Sequence, residues 1–213
     1  MDLLRRLDDL LAKAREAELR GDARLALSTL DAAEPPVRAF GTWHFARGAL
    51  LFKTGEIEAA VQPLRQAAAR LPEVAEAHAN LAAALAERVR RQRAATGSRP
   101  TDADTVAGEA RMLVEAEAAA RRACVLRPGM PQPHVSLSDV LETAGRFEDA
   151  LAVLDRLLES TPGYAPALSA RATVLAQLGR REETRRPLDD RGQTGPAKEA
   201  MAETERAGGG ERP

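Results

Sequence analysis

The chain has few aromatic residues and a single cysteine. Phe, Trp and Tyr make up 3% of its 213 residues, which is a low share for a globular enzyme and favours helices that pack through small side chains. The lone Cys124 excludes an internal disulfide framework. Because 44% of the residues are hydrophobic, the chain can still bury a core, and we expect that core to contain little aromatic packing.

Long apolar runs and an excess of one charge are also missing. No run reaches the roughly 18 apolar residues of a membrane span, and residues 1–17 carry Arg and Asp pairs where a signal peptide needs an apolar stretch. Lys and Arg number 31 against 32 Asp and Glu, interleaved along the chain, so no large field attracts a polyanion. We expect a cytoplasmic protein that binds neither nucleic acid nor membrane.

The sequence carries no catalytic or cofactor-binding motif. It has no phosphate-binding glycine loop, nucleophile elbow or paired-cysteine metal motif. Cys124 follows Ala120 and Ala123 on the predicted buried side of a helix, where a structural thiol is expected rather than a reactive one. We therefore expect no enzymatic activity, no cofactor, no metal and no small-molecule substrate.

What the sequence does contain is a fixed period of about 34 residues, a length that is typical of repeat proteins. It separates Gly21 from Gly55 and Gly145 from Gly179. The same spacing joins Ala26 to Ala60, Ala116 to Ala150, His44 to His78 and Pro128 to Pro162. Between the two halves the register slips once, since His134 follows His78 at a longer distance than His78 follows His44. One insertion explains the slip, and the period predicts a repeat protein.

Each repeat is predicted to contain two amphipathic helices joined at the glycine, because apolar residues recur every three or four positions. The first helices are predicted at 3–19, 37–53, 74–93, 131–143 and 165–178, and the second helices at 23–33, 57–70, 102–126, 147–160 and 181–186. The glycines stand where a left-handed residue ends a helix. Pro72, Pro128 and Pro162 follow helix ends, where no backbone donor is needed.

One position in each helix holds a small residue in every repeat. These residues are Ala14, Gly48, Ala82, Ser138 and Ala172 in the first helices, and Ala26, Ala60, Ala116, Ala150 and Thr184 in the second. Small side chains at both positions let the two helices of a hairpin approach closely. The layers between them are filled by Leu30, Leu51, Leu64, Leu85, Leu141, Leu154 and Leu175.

This pattern of small residues, glycine turn and closing proline resembles the tetratricopeptide repeat (TPR). The resemblance implies an all-α fold, a right-handed superhelical solenoid of TPR helix hairpins with one elongated hairpin. It predicts a repeat domain over residues 1–186, with repeats at about 3–36, 37–72, 73–128, 129–162 and a partial repeat at 163–186. Apolar residues are few in 187–213, so we expect a disordered C-terminal tail there.

Two features depart from the family pattern. A position usually held by Leu carries Lys13, Arg47 and Arg171, so these three repeats are expected to pack less tightly. Pro187 falls within the last expected helix, and an interior proline costs about 3 kcal/mol. The array is therefore expected to fray at its C-terminal end.

The inserted residues lie near 88–109, at the turn of the third repeat. We expect them to lengthen both helices, with a loop at 94–100 and Asp102 as the cap of the second helix. The tip would then project by about 15 Å. It carries Arg88, Arg90, Arg91 and Arg93 opposite Asp102, Asp104 and Glu109. Two interpretations stay open, a salt-bridged hairpin in solvent and a docking prong for a partner.

The three histidines occupy the same position in three successive repeats. Neighbouring helices in a stack lie about 8–10 Å apart, which is too far for His44, His78 and His134 to meet one zinc ion at about 2 Å each. We predict that they are packing residues. Trp43 lies one residue before this position, and its role stays open.

Resemblance to the TPR family implies that the first helices line a concave channel that receives a peptide or a partner helix. The predicted contact residues are Phe45, Ala49, Phe52, Lys53, Asn80, Ala83, Gln132 and Asp139. Over all the inward-facing positions the N-terminal half is apolar, and the C-terminal half, which includes Asp139 and Glu142, is acidic. We expect a ligand with an apolar anchor near Phe45 and Phe52, unless both rings pack against neighbouring helices.

Some family members bind a C-terminal carboxylate with a clamp of Lys, Asn and Arg. The five corresponding positions here are Phe45, Ala49, Asn80, Gln132 and Ser136. Only Asn80 matches, so a carboxylate clamp is not expected.

The resemblance leaves two functions open. The first is a non-catalytic interaction scaffold or adapter that binds a peptide or helix in the groove. The alternative is a regulatory or substrate-presenting subunit of a separate enzyme, such as a transferase or oxygenase, because similar repeats often precede such domains.

Overall fold

The computed structural model describes residues 2–97 and 102–180. All regular secondary structure in these two ranges is α-helix. The helices are α1 (Asp2–Leu19), α2 (Ala23–Asp31), α3 (Pro35–Arg38), α4 (Gly41–Lys53), α5 (Ile57–Arg70), α6 (Ala75–Thr96), α7 (Ala103–Leu126), α8 (Pro131–Thr143), α9 (Phe147–Ser160) and α10 (Ala165–Gln177). The predicted all-α class is confirmed. The helix expected at 181–186, with Thr184, and the tail at 187–213 lie outside the described residues.

The helices succeed one another as hairpins that contact their neighbours. The pairs α1–α2, α4–α5, α6–α7 and α8–α9 each pack face to face, and α5 meets α6, α7 meets α8 and α9 meets α10. Successive first helices are also in contact, since α4 touches α6, α6 touches α8 and α8 touches α10. The first helices therefore lie side by side. The right-handed superhelical course stays a prediction.

Four of the first helices end in the same way. Gly21, Gly55, Gly145 and Gly179 have φ values of 81, 84, 78 and 72°. After each glycine, the next N–H donates to the carbonyl oxygen five residues earlier, as from Glu56 to Leu51 at 2.8 Å. A residue with a Cβ adopts this left-handed conformation only at a cost, so the role predicted for the four glycines is confirmed.

The predicted core positions are buried. Ala26, Ala60, Ala116 and Ala150 in the second helices, and Ala82 in a first helix, are 0% exposed. The seven leucines predicted to fill the layers are all at most 5% exposed. Ala172, in the last described first helix, is half-buried. The buried hydrophobic residues form a small cluster from α1 to α4 and a larger cluster from α4 to α10.

The helices of the second hairpin approach too closely for a side chain at Gly48. A Cβ built on this residue would lie 2.7 Å from Leu64 Cγ and 3.1 Å from the Leu64 backbone nitrogen. Real Cβ atoms do not come this close to other heavy atoms. The glycine is therefore required by the packing of α4 on α5.

The predicted helix over 37–53 is wrong at its start. A separate single turn, α3, begins at Pro35, whose fixed φ suits the first position of a helix. The chain then becomes extended at Phe40 (φ −77°, ψ 139°), and α4 begins at Gly41. In the third repeat α6 continues past the predicted end at 93 to Thr96, and the left-handed Gly97 closes it.

Two of the three charged residues at the position usually held by Leu form ion pairs. Arg47 Nε lies 2.7 Å from Asp31 Oδ1, and Arg171 Nε lies 2.8 Å from Asp155 Oδ1. In both pairs the Asp belongs to the preceding second helix, 16 residues earlier in the chain. Arg171 is only 5% exposed, so in the last repeat the pair belongs to the core.

Gly48→Ala should destabilise the protein by about 1–3 kcal/mol, because the methyl group overpacks the contact with Leu64. The matched control is Gly108→Ala in α7, where an added Cβ meets nothing within 4 Å. This control should raise stability by about 0.5–1 kcal/mol, because alanine favours a helix. Urea unfolding measures both changes. Equal free energies of unfolding for wild type and Gly48→Ala would contradict the predicted close approach.

Asp155→Asn should cost about 2 kcal/mol or more, because it removes the negative charge that balances the buried Arg171. Asp31→Asn is the matched control, since its partner Arg47 is more exposed, and the loss there should stay below about 1 kcal/mol. Thermal and urea unfolding of the two variants give the comparison. Equal losses would show that the burial of Arg171 does not matter.

Candidate protein-interaction face

The eight predicted contact residues lie on three adjacent first helices. Four of them are on α4, two on α6 and two on α8. Six are half-buried, while Lys53 and Gln132 are exposed. We call the side formed by α4, α6 and α8 around these residues the first-helix face.

The residues on α4 have different local roles. Phe52 packs against the larger core cluster. For this ring the alternative role, packing against neighbouring helices, therefore applies. Phe45 and Ala49 are half-buried. Lys53 Nζ lies 2.8 Å from Glu18 Oε1 of α1, in an exposed ion pair. Phe45 is thus the aromatic residue of this helix that best fits a contact role.

Asn80 and Gln132 come together in one opening between α6 and α8. This α6–α8 cleft has a volume of about 130 Å³ and mostly apolar walls. Its lining residues are Ala75, Glu76, Ala79, Asn80, Arg127, Met130, Gln132 and Pro133. Tyr164 donates its hydroxyl proton to Gln132 Oε1 at 3.0 Å, which connects the cleft to the start of α10.

Asp139 lies in a different opening, near the other ends of α6 and α8. This hairpin cavity has a volume of about 330 Å³ and is lined by Arg90, Arg93, Asp139, Glu142, Thr143, Phe147 and Gln177. The predicted C-terminal contact residues are therefore divided between two openings. Ala83 lies on α6 between the positions of Asn80 and Glu87, on the helix that runs past both.

The inserted arginines of α6 bind neighbouring repeats. Arg90 Nη1 donates to Asp139 Oδ1 at 2.8 Å and to Thr143 Oγ1 at 2.9 Å. Arg93 Nη1 donates to the Thr143 carbonyl oxygen at 2.6 Å. On the other side, Arg91 Nη1 donates to the Gly55 carbonyl oxygen at 2.8 Å. The insertion thus links the third repeat to the repeats before and after it.

The charged residues of the insertion pair only in part as a salt-bridged hairpin predicts. A salt bridge between its two helices does form, from Arg93 Nε to Glu109 Oε2 at 3.0 Å, and Glu109 is buried. Asp102 forms no ion pair with a described arginine; it caps α7 by accepting from the Thr105 N–H at 2.8 Å. The acidic character expected for the C-terminal half is also reduced, because Asp139 has Arg90 as its partner.

The charges of the hairpin cavity influence one another. Burial lowers the pKa of the Arg90 guanidinium, but attraction to Asp139 and the hydrogen bonds outweigh it and the pKa is raised. Burial raises the pKa of the Glu142 carboxyl, the charge of Asp139 raises it further, and Arg90 acts in the opposite direction. Arg90 therefore stays charged, while the ionised form of Glu142 is incompletely stabilised.

The three histidines make local contacts and Trp43 is buried, while a packing role for His78 and His134 stays a prediction. His78 Nε2 is 3.1 Å from the Pro72 carbonyl oxygen, and His134 Nδ1 is 3.1 Å from that of Met130. His44 packs edge-to-face on Trp43, with ring centroids 5.0 Å apart. Trp43 is 7% exposed and donates from Nε1 to the Leu30 carbonyl oxygen at 2.9 Å. Within residues 2–97 and 102–180, no group of three or more His, Cys, Asp or Glu is placed to hold a metal.

Cys124 has the environment of a structural thiol. It is half-buried against the larger core cluster. Burial raises the pKa of the thiol, although Arg121 acts in the opposite direction. The neutral thiol is therefore favoured, and it is a poor nucleophile.

No helix in the described part of the chain is both long enough and apolar enough to cross a bilayer.

Comparison with known proteins identifies the fold. No protein-family model matches the chain, and no curated protein is significantly similar in sequence. Among solved structures, MamA superimposes with a TM-score of 0.62 at 16% identity, over 84% of this chain and 85% of that chain. MamA from Desulfovibrio magneticus gives a TM-score of 0.65 at 11% identity, over 96% and 97%. A TPR protein of Thermus thermophilus gives 0.60 at 17% identity, over 84% and 86%.

These likenesses define the class. The chain has a TPR-like helical repeat fold, as its sequence pattern predicts.

Arg90→Met should destabilise the protein by roughly 1–2 kcal/mol, because Asp139 and Thr143 lose a charged donor in a partly buried site. Arg111→Met changes an exposed residue of α7 and should stay within about 0.5 kcal/mol of wild type. Urea unfolding provides both values. If the two variants unfold at the same denaturant concentration, Arg90 does not hold α6 to α8.

Proposed function

We propose that the chain is a non-catalytic scaffold that binds a segment of a partner protein along its first-helix face. The observation that carries this proposal is the α6–α8 cleft, where residues of two successive repeats line one mostly apolar opening. Sites that accept a ligand group are commonly apolar with a few placed polar atoms. The cleft has this composition, and its volume of about 130 Å³ suits one side chain of a bound segment.

The polar groups of the cleft are suited to a peptide backbone. The Asn80 side chain carries an amide that can donate and accept at once, and no hydrogen bond joins it to any described residue. Ala79 and Met130 provide apolar contact beside it, and 46% of Met130 is exposed. In the proposed complex, Asn80 bonds to the backbone of the segment while an apolar side chain of the segment enters the cleft.

The same face extends towards α4. Phe45 is half-buried on the helix that contacts α6, so it can supply the apolar anchor expected from the sequence. Phe52 contributes mainly to the core and is not needed for contact. The near-neutral charge, 31 basic against 32 acidic residues, supports a protein partner over a polyanion.

Selection of peptides from a displayed random library, with the immobilised chain as bait, tests this function. We expect peptides with an apolar residue to be enriched. Ala79→Arg fills the cleft and should weaken their binding at least tenfold, which corresponds to about 1.4 kcal/mol. The matched control is Ala110→Arg on an exposed position of α7, which should leave the affinity unchanged.

Circular dichroism should give the same helicity for wild type and both variants. Failure to enrich any peptide, or equal affinity of wild type and Ala79→Arg for the enriched peptides, would contradict the proposed function.

A further inference from the structure

The hairpin cavity is large enough for a ligand group and is built from several repeats. Its volume of about 330 Å³ exceeds by roughly tenfold the ~30 Å³ that one water occupies in the liquid. Arg90 and Arg93 come from α6, Glu142 from α8, Phe147 from α9 and Gln177 from α10. Four helices of three repeats therefore surround an opening that can hold a long side chain.

The charged groups of this cavity are unequally paired. Its lining carries two guanidinium groups, those of Arg90 and Arg93, and two carboxylates, those of Asp139 and Glu142. Glu87 pairs with Arg90 at 3.1 Å and Arg91 at 3.0 Å, Glu109 pairs with Arg93 at 3.0 Å, and Asp139 pairs with Arg90 at 2.8 Å. Among the described residues, Glu142 has no ion-pair partner.

Arg90 acts to lower the pKa of the Glu142 carboxyl but forms no ion pair with it. Its Nη1 and Nε atoms already donate to Asp139, Thr143 and Glu87. The Glu142 carboxyl is half-buried and beside Asp139, and both conditions disfavour its ionised form. A cation from outside would remove this penalty.

The remaining walls match a guanidinium group. Phe147 is the first residue of α9 and is half-buried against the larger core cluster, and like Glu142 it lines the cavity. Guanidinium groups stack on aromatic rings and bond carboxylates through two parallel N–H groups. The Gln177 amide oxygen can accept a further N–H.

We propose that the hairpin cavity binds an arginine side chain of the partner segment, with Glu142 as its counter-ion and Phe147 as its stacking surface. This inference rests on the proposed function, since the arginine belongs to the bound partner. It adds a charged determinant to the apolar recognition in the α6–α8 cleft. The inserted residues then have a functional consequence, because Arg90 and Arg93 form one wall of the cavity and Arg90 occupies Asp139.

Titration with N-acetyl-L-arginine amide, followed by two-dimensional amide NMR spectra of the full chain, tests this proposal without a partner. We expect saturable shift changes at the amides of Glu142, Phe147 and Gln177. The citrulline analogue has the same shape without the charge and should cause no such changes. Glu142→Gln should weaken the binding of the arginine derivative at least tenfold.

Glu58→Gln is the matched control, because Glu58 is an exposed residue of α5, and its titration should equal that of wild type. The spectrum of each variant without ligand shows whether it is folded. Equal binding of the citrulline analogue, equal binding to Glu142→Gln, or shifts confined to other surfaces would overturn the proposal. Because the probe is a single amino-acid derivative, this result is independent of whether peptides bind in the α6–α8 cleft.

Discussion

The structure depends on the close approach of two helices in each hairpin. This approach requires a small residue on both helices, and at Gly48 an added Cβ would lie 2.7 Å from Leu64 Cγ. Ala60, Ala116 and Ala150 are completely buried at the equivalent contacts of the second helices. Since each hairpin is only two helices thick, its apolar faces are covered by the hairpins before and after it. Side-by-side first helices, and so the first-helix face, follow from this arrangement.

Features that repeat along the sequence could be predicted, because the same local constraint recurs in every unit. The left-handed glycines and the buried alanines are of this kind. The break before Gly41 and the burial of Trp43 could not be predicted in this way, because each occurs once. The ion pairs of Arg47 and Arg171 could be predicted only in part. An Asp 16 residues before each arginine was a usable signal, but its meaning depends on how successive helices pack.

Prediction of the candidate site from the periodic sequence pattern is limited in the same way. The sequence places Asn80, Gln132 and Asp139 on first helices, yet the structure divides them between the α6–α8 cleft and the hairpin cavity. The division results from side chains that cross between repeats. Arg90 belongs to the insertion, which has no counterpart in the other repeats, so no periodic pattern predicts that it reaches Asp139. Among the described residues Glu142 has no ion-pair partner, since Arg90 pairs with Glu87 and Asp139 instead.

Native-state hydrogen exchange, resolved by helix, tests the central claim most directly. If the hairpins are stacked and each is supported by its neighbours, protection should be greatest in α5 to α8, inside the larger buried cluster, and should fall towards α1 and α10. The small cluster from α1 to α4 should open at a lower free energy than the large one. Equal opening free energies for all helices would indicate one cooperative globular unit and would contradict the stacked arrangement.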